Sequence, residues 1–158
     1  MRVLEIGCGA ARLTQALAGI FGEVHAVDVS GEMVALAQQN LHQRGIENAF
    51  VYQNNGQDLT VVPNLPFHFA FSWIVFQHIP AKSVIETYVR EVHRLLVPGA
   101  LFKFQVQGHP LPGVRHDTWL GVSFTEAEMA AMADRCGFEL RYSYGAGTQE
   151  YVNWFFRR

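Results

Sequence analysis

Val3-Leu4-Glu5-Ile6-Gly7-Cys8-Gly9-Ala10-Ala11-Arg12 opens the chain, and its reading decides the fold. Val3 to Ile6 is a short apolar run of the kind that forms a buried strand. Gly7-Cys8-Gly9 then breaks it as a turn. Ala10 to Ala18 follows as a helix, with Leu13 and Leu17 four apart on one face and Gly19 and Gly22 at its end. Glycines between a strand and a helix let the main chain turn sharply and let a ligand approach it closely. Taken alone, this signal is weak. Many tight strand-to-helix connections bind nothing.

The next segments repeat the alternation. Val24 to Val29 is a second strand, and Asp28 near its end lies 19 residues beyond Gly9. A carboxylate there can accept hydrogen bonds from both hydroxyls of a ribose, or can simply cap a helix. Ser30 is an N-cap for a helix from Gly31 to about Arg44, with Met33, Leu36, Ala37 and Leu41 as its apolar stripe and Gly45 as its terminator. Ala49 to Gln53 is a third strand. The turn after it, Asn54-Asn55-Gly56-Gln57-Asp58, offers a side-chain oxygen to an adenine amino group and a glycine to its ring, although Asn-Gly forms turns without any ligand. Pro63 and Pro66 frame a loop. Phe67 to Val75 reads as a fourth, central strand, Ala81 to Val97 as a long helix stopped by Pro98-Gly99, and Ala100 to Gln107 as a fifth strand. Gly108 to Gly121 is a loop. Thr125-x-x-Glu128 resembles a capping box at the start of a helix from Phe124 to Cys136. Phe138 to Tyr144 and Tyr151 to Phe156 form two strands joined through Gly145 and Gly147, a connection short enough to demand an antiparallel hairpin. Strands alternating with helices predict a parallel sheet covered on both faces, within one domain spanning 1–158.

The bulk composition narrows the function. The 158 residues are 49% hydrophobic and 16% charged, which suits a globular domain with a real core. A formal net charge of −2 with no run of Lys or Arg argues against a nucleic-acid partner. No apolar run approaches the roughly 20 residues that span a bilayer, and no signal peptide stands at the start, so no membrane partner and a cytoplasmic location are expected. Two cysteines, Cys8 and Cys136, lack the pairing for a zinc site and read as small buried thiols in a reducing compartment. Seven histidines lack metal-ligand spacing, so no metal is expected.

In combination these segments resemble the class I S-adenosylmethionine-dependent methyltransferases of small-molecule type. Val3 to Thr14 looks like their first motif, where an acid lies two residues before the first glycine. Val24 to Met33 looks like the next, with its ribose acid. Phe71-Ser72-Trp73-Ile74-Val75-Phe76-Gln77-His78-Ile79-Pro80 resembles the segment after strand four, and Leu95 to Phe102 the leader into strand five. The resemblance implies a Rossmann-like, doubly wound sheet of seven strands in the order 3-2-1-4-5-7-6, strand seven antiparallel. It implies S-adenosyl-L-methionine as cofactor, S-adenosyl-L-homocysteine as product, and a site over the carboxyl ends of strands one to four. Carried over by position, Gly7 and Gly9 contact the methionine part, with Cys8 and Arg12 in the same loop, and Glu5 supports that loop or the amino group. Asp28 holds the ribose with Val29 beside it, and Met33 packs on adenine. Asn55 stands at the adenine amino group, with Gly56 and Gln57 along the ring. Ser72 and Trp73 lie near the sulfonium. Ala11 stands where a third glycine is frequent, Asn55 where Asp is, and His68 where an Asp often precedes strand four. Nothing precedes strand one, so the N-terminal lid helices of the family are expected to be absent. Weak binding, a homodimer covering the open cofactor site, and a truncated chain are each consistent with that.

Methyl transfer needs an in-line approach of the nucleophile, and positioning alone supplies much of the rate. Histidine is the side chain whose titration range suits removal of a proton at neutral pH, which makes His78 the candidate base. A loop histidine that only packs on the pocket wall fits the residue equally well. Gln77, Gln105, Gln107, His109 and Trp119 are the candidates for a substrate pocket, with a small molecule as the expected partner. The aromatic residues from Tyr142 to Phe156 alternate as sheet residues do and are expected in the core. Two other functions compete with a methyltransferase. One is a cofactor-binding module without catalysis. The other is an NAD-dependent oxidoreductase, which would want a third glycine where Arg12 stands.

Overall fold

The computed structural model describes residues 1–108 and 121–158. The elements run β1 (Arg2–Ile6), α1 (Arg12–Ala18), β2 (Glu23–Asp28), α2 (Gly31–Gln43), β3 (Ala49–Gln53), β4 (Phe67–Ser72), a single 3₁₀ turn (Phe76–His78), α3 (Lys82–Leu95), β5 (Leu96–Val106), α4 (Glu126–Arg135), β6 (Phe138–Tyr144) and β7 (Tyr151–Arg157). The seven strands form one sheet in the order β3-β2-β1-β4-β5-β7-β6. β1 to β5 are parallel, and β7 runs antiparallel to both β5 and β6. The order reverses between β1 and β4, and that switch point is where an open α/β sheet leaves a crevice at its carboxyl edge.

Two apolar clusters flank the sheet. The larger gathers Leu4, Ile6, Ala70, Phe102 and Phe104 with the buried faces of α3 and α4. The smaller joins Cys8, Ala11, Ala26, Ala37 and Leu41. Local capping fixes the helices. Ser30 Oγ accepts the Met33 N–H at the start of α2, and Thr125 and Glu128 complete a reciprocal capping box at the start of α4.

Four sequence expectations change. In α2 the buried face is Val34, Ala37 and Leu41, while Leu36 is exposed and Met33 half-buried. The Ser30 cap sets the phase of the helix, and positions 34, 37 and 41 then share a stripe. Strand four ends at Ser72, not Val75. Its last pair with β1 is Ile6 with Ser72, beyond which Gly7 turns away and leaves no partner on that side. The helix α3 stops at Leu95, and Pro98-Gly99 lies inside β5 as an irregularity between the pairs Phe67–Leu96 and Phe69–Leu101. Proline disfavours helical backbone at the residue before it, Val97, and the chain is already extended one residue earlier, at Leu96. In the terminal hairpin Tyr151 and Phe155 are fully buried, but Tyr142 and Tyr144 are exposed. They lie on β6, the outermost strand of the sheet.

Candidate functional site

The glycine turn and the end of β2 are built onto each other. Gly7 and Cys8 both donate their N–H groups to the Val27 carbonyl, at 2.8 and 3.0 Å. Gly9 donates to Asp28 Oδ2 at 2.8 Å, and Ser30 donates to Asp28 Oδ1 at 3.0 Å. The spacing noticed in the sequence is therefore a physical contact: the turn after β1 reaches the carboxylate that ends β2. Gly7 has φ +79°, and a Cβ there would fall 2.1 Å from Val75 Cγ2. Gly9 has φ +52°, but a Cβ there would meet no protein atom within 4 Å. One glycine is required by packing, the other faces open space. Ala11 adopts the same left-handed backbone without being a glycine, at φ +67°, and caps α1.

Beneath the turn, Glu5 is only 2% exposed and accepts a 2.6 Å hydrogen bond from Thr14 Oγ1, which fastens α1 to β1. Burial pushes its carboxyl up to about 7, the Thr14 bond pulls against that, and the nearby Asp28 charge adds to it. Burial likewise pushes the Cys8 thiol up to about 12, so it is no nucleophile.

Above these residues lies a cleft of about 410 Å³. Gly7, Gly9, Asp28 and Val29 line one side, Asn54 and Gly56 another, and Ile74, Val75, His78, Ile79 and Tyr88 the rest. Its volume falls in the range of small-molecule sites, and its walls are mostly apolar with few polar groups, the usual make-up of such sites. Val29 is 58% exposed there, an apolar side chain set beside the ribose-type acid. Asn54 is fixed by donating to Tyr88 Oη at 2.6 Å and to the Asp58 carbonyl at 3.2 Å. Ile74 holds φ +58°, which a β-branched residue rarely adopts.

The remaining candidates from the sequence divide. Asn55 is exposed, and its Oδ1 accepts the N–H groups of Gln57 and Asp58, so it shapes the turn while Asn54 lines the cleft. Met33, Arg12 and Gln57 do not line the cleft. Ser72 is buried and donates to the Ile6 carbonyl, pinning β4 to β1. Trp73 stacks on Phe71 and lies under the Lys103 ammonium. Gln77, His78 and Gln107 come together with Gln105 around a second cavity of about 220 Å³ that shares Ile74 and His78 with the cleft. His109 and Trp119 lie outside the described residues. Among the described residues no three His, Cys, Asp or Glu side chains gather as metal ligands, and no helix is long and apolar enough to cross a membrane. The sequence reading missed Ile6, Asn54, Ile74, Val75, Ile79 and Tyr88 as cleft residues.

Residues 3–99 match the family model described as a methyltransferase domain. The chain belongs to that family. Its similarity to the demethylmenaquinone methyltransferase of Geobacillus stearothermophilus is 28% identity over 103 residues, 63% of this chain and 42% of that protein. To the ubiquinone biosynthesis O-methyltransferase of Xylella fastidiosa it is 31% over 98 residues, 62% of this chain and 38% of that protein. The chain thus spans about two fifths of the curated relatives it matches. A solved S-adenosylmethionine-dependent methyltransferase from Clostridium acetobutylicum superposes with a TM-score of 0.82 at 13% identity, covering 99% of this chain and 83% of that one. The architecture is therefore the class I methyltransferase fold, and the cofactor that goes with this family is S-adenosylmethionine.

Proposed function

We propose that the chain binds S-adenosylmethionine in the cleft at the switch point and transfers its methyl group to a small molecule through oxygen, nitrogen or carbon. The observation that carries this reading is Asp28. Its carboxylate stands on the cleft wall, positioned by the Gly9 and Ser30 N–H groups, and each oxygen keeps a further lone pair for a ribose hydroxyl. The residues fit the group in other ways. Gly9 leaves room for close approach of a ligand to the main chain. Val29 and Ile79 offer apolar surface to a purine, and Asn54 and Gly56 offer a polar edge beside it.

When bound, the cofactor supplies an electrophilic methyl on a positively charged sulfur. The chain's own contribution is positioning. Ile74 and His78 line both the donor cleft and the second cavity, and Val75 and Ile79 add apolar surface on the cleft side. With Gln77 Oε1 receiving the Gln105 amide, Gln77 Nε2 donates to His78 Nε2 at 3.2 Å, and the neutral ring then carries its proton on Nδ1. His78 Nε2 is thereby engaged by Gln77, which holds the ring at the junction of the two cavities. The two free, buried cysteines suit a cytoplasmic location.

Calorimetric titration with S-adenosylmethionine, S-adenosylhomocysteine and NAD tests the reading. The two adenosyl ligands are expected to bind and NAD to give no heat. Binding of NAD without either adenosyl ligand would overturn it.

A further inference from the structure

The half of the sheet built from β4, β5, β7 and β6 carries aromatic side chains on both faces. One face packs Phe102, Phe104, Phe138 and Phe155 into the larger cluster with α3 and α4. On the other, residues paired across neighbouring strands stand side by side. The register puts Phe69, Leu101, Phe156 and Glu139 in one row, and Phe71, Lys103, Trp154 and Tyr142 in the next. Trp73 extends the β4 column, where Phe69, Phe71 and Trp73 stack with ring centroids 6.3 and 6.4 Å apart. None of these side chains belongs to either apolar cluster that joins helices to the sheet. All of them stay partly accessible, and Tyr142 is 60% exposed. A contiguous aromatic surface rimmed by charge is the mark of an interaction face, where Trp, Tyr and Phe are enriched.

The charges on this face are offset. Lys103 Nζ lies 4.7 Å from the Trp154 ring centroid and 5.4 Å from that of Trp73. Glu139 stands one row away and two strands further out, with 38% of its side chain exposed. Its Oε1 takes Arg141 at 3.1 Å, while Oε2, at 3.9 Å from Arg158, is beyond hydrogen-bond distance of that partner. Trp154 and Phe156 lie between Lys103 and Glu139.

We infer that this face pairs with the same face of a second copy, in a twofold dimer that sets each Lys103 against the partner's Glu139. The inference is independent of what the cleft binds. A twofold interface has to be complementary to itself. An axis lying in the interface and passing between Trp154 and Phe156, at right angles to the line joining Lys103 and Glu139, brings each charge opposite the other. It also lays the aromatic rows together, as the inner faces of a β-sandwich interleave at about 10 Å. A net charge of only −2 leaves little repulsion between copies. Trp73 adjoins Ile74 of the cleft wall, so the seam ends beside the cleft.

Sedimentation velocity across the micromolar range tests the dimer, with circular dichroism to confirm that each variant is folded. The wild-type chain is expected to pass from monomer to dimer as concentration rises. Lys103→Glu and Glu139→Lys each place two like-charge pairs in the interface and are expected to weaken self-association by at least about tenfold. Mixed in equal amounts, the two variants restore both opposite-charge pairs, and a heterodimer of about wild-type strength is expected. Tyr142 is exposed, so Tyr142→Ala leaves the fold intact and is expected to weaken the dimer several-fold even if Lys103→Glu fails to fold. A monomer at every concentration would overturn the inference, and so would a dimer indifferent to all three substitutions or charge variants that fail to rescue each other. A monomer that instead binds an added acidic amphipathic peptide, and loses it on Tyr142→Ala, would give the face another occupant and overturn the dimer equally.

Discussion

At the scale of single residues, the site rests on positions where backbone and charge do unusual things. Gly9 is the cleanest case. A side chain there meets no protein atom, but the backbone is left-handed, so Gly9→Ala costs about 1 kcal/mol of stability and no more. Its methyl borders the cleft, and S-adenosylhomocysteine affinity should fall further than stability does. Chemical unfolding alongside calorimetry separates the two, and equal affinity in both proteins would remove Gly9 from the site. Glu5 gives a pH signature. Folding holds its carboxyl as the acid, with a pKa raised from 4.5 to about 7, so the folded state keeps a proton that the unfolded chain has lost. The stability this brings is fully present below about pH 4.5 and is lost as pH rises through about 7. The gap amounts to at most about 3 kcal/mol. Glu5→Gln keeps an acceptor for Thr14 and should flatten the decline between about pH 4.5 and about pH 7 in denaturant unfolding. An unchanged decline would mean that another group drives it. Gly7, Gly9 and Asp28 were legible in the sequence because turn chemistry and strand spacing are local. That Asn54 lines the cleft while Asn55 shapes the turn was not legible. It depends on which of two adjacent amides the buried Tyr88 hydroxyl captures, 34 residues away.

At the scale of elements, the N-cap signals of α2 and α4 were read well, and the end of α3 and the ends of strands poorly. The Thr125–Glu128 pair is a local pattern, and both of its hydrogen bonds form. Thr125→Ala should cost about 1 kcal/mol in unfolding free energy, with no change in cofactor binding, because neither Thr125 nor Glu128 lines the cleft. A loss of cofactor binding would show that α4 communicates with the cleft. Strand ends follow the partner strand instead. β4 stops where β1 stops, and the chain released there makes the Ile74 wall and the His78 turn. No periodicity within residues 67–80 encodes that event. The same holds for the second cavity, whose lining comes from the turn after β4, the end of β5 and the connection between β6 and β7, which only the sheet order brings together.

At the scale of the whole molecule, alternation of strands and helices predicts the parallel half of the sheet, and the short glycine connection predicts the antiparallel end. The order of the strands came from the resemblance, because alternation alone leaves several right-handed arrangements open. The observed order puts Gly9 and Asp28 on one side of the switch point and Ile74 and His78 on the other, so that a molecule in the cleft touches both halves of the sheet. The measurement that tests this most directly is isothermal calorimetry of S-adenosylhomocysteine against the wild-type chain and Asp28→Asn. The variant keeps one oxygen for one of the two main-chain N–H groups, turns an amide N–H toward the other, and removes the charge that would hold the ribose. Saturable binding to the wild type is expected, weakened by about tenfold in Asp28→Asn, or roughly 1.5 kcal/mol. Binding of equal strength to both folded proteins, or to neither, would contradict the placement of the cofactor in this cleft.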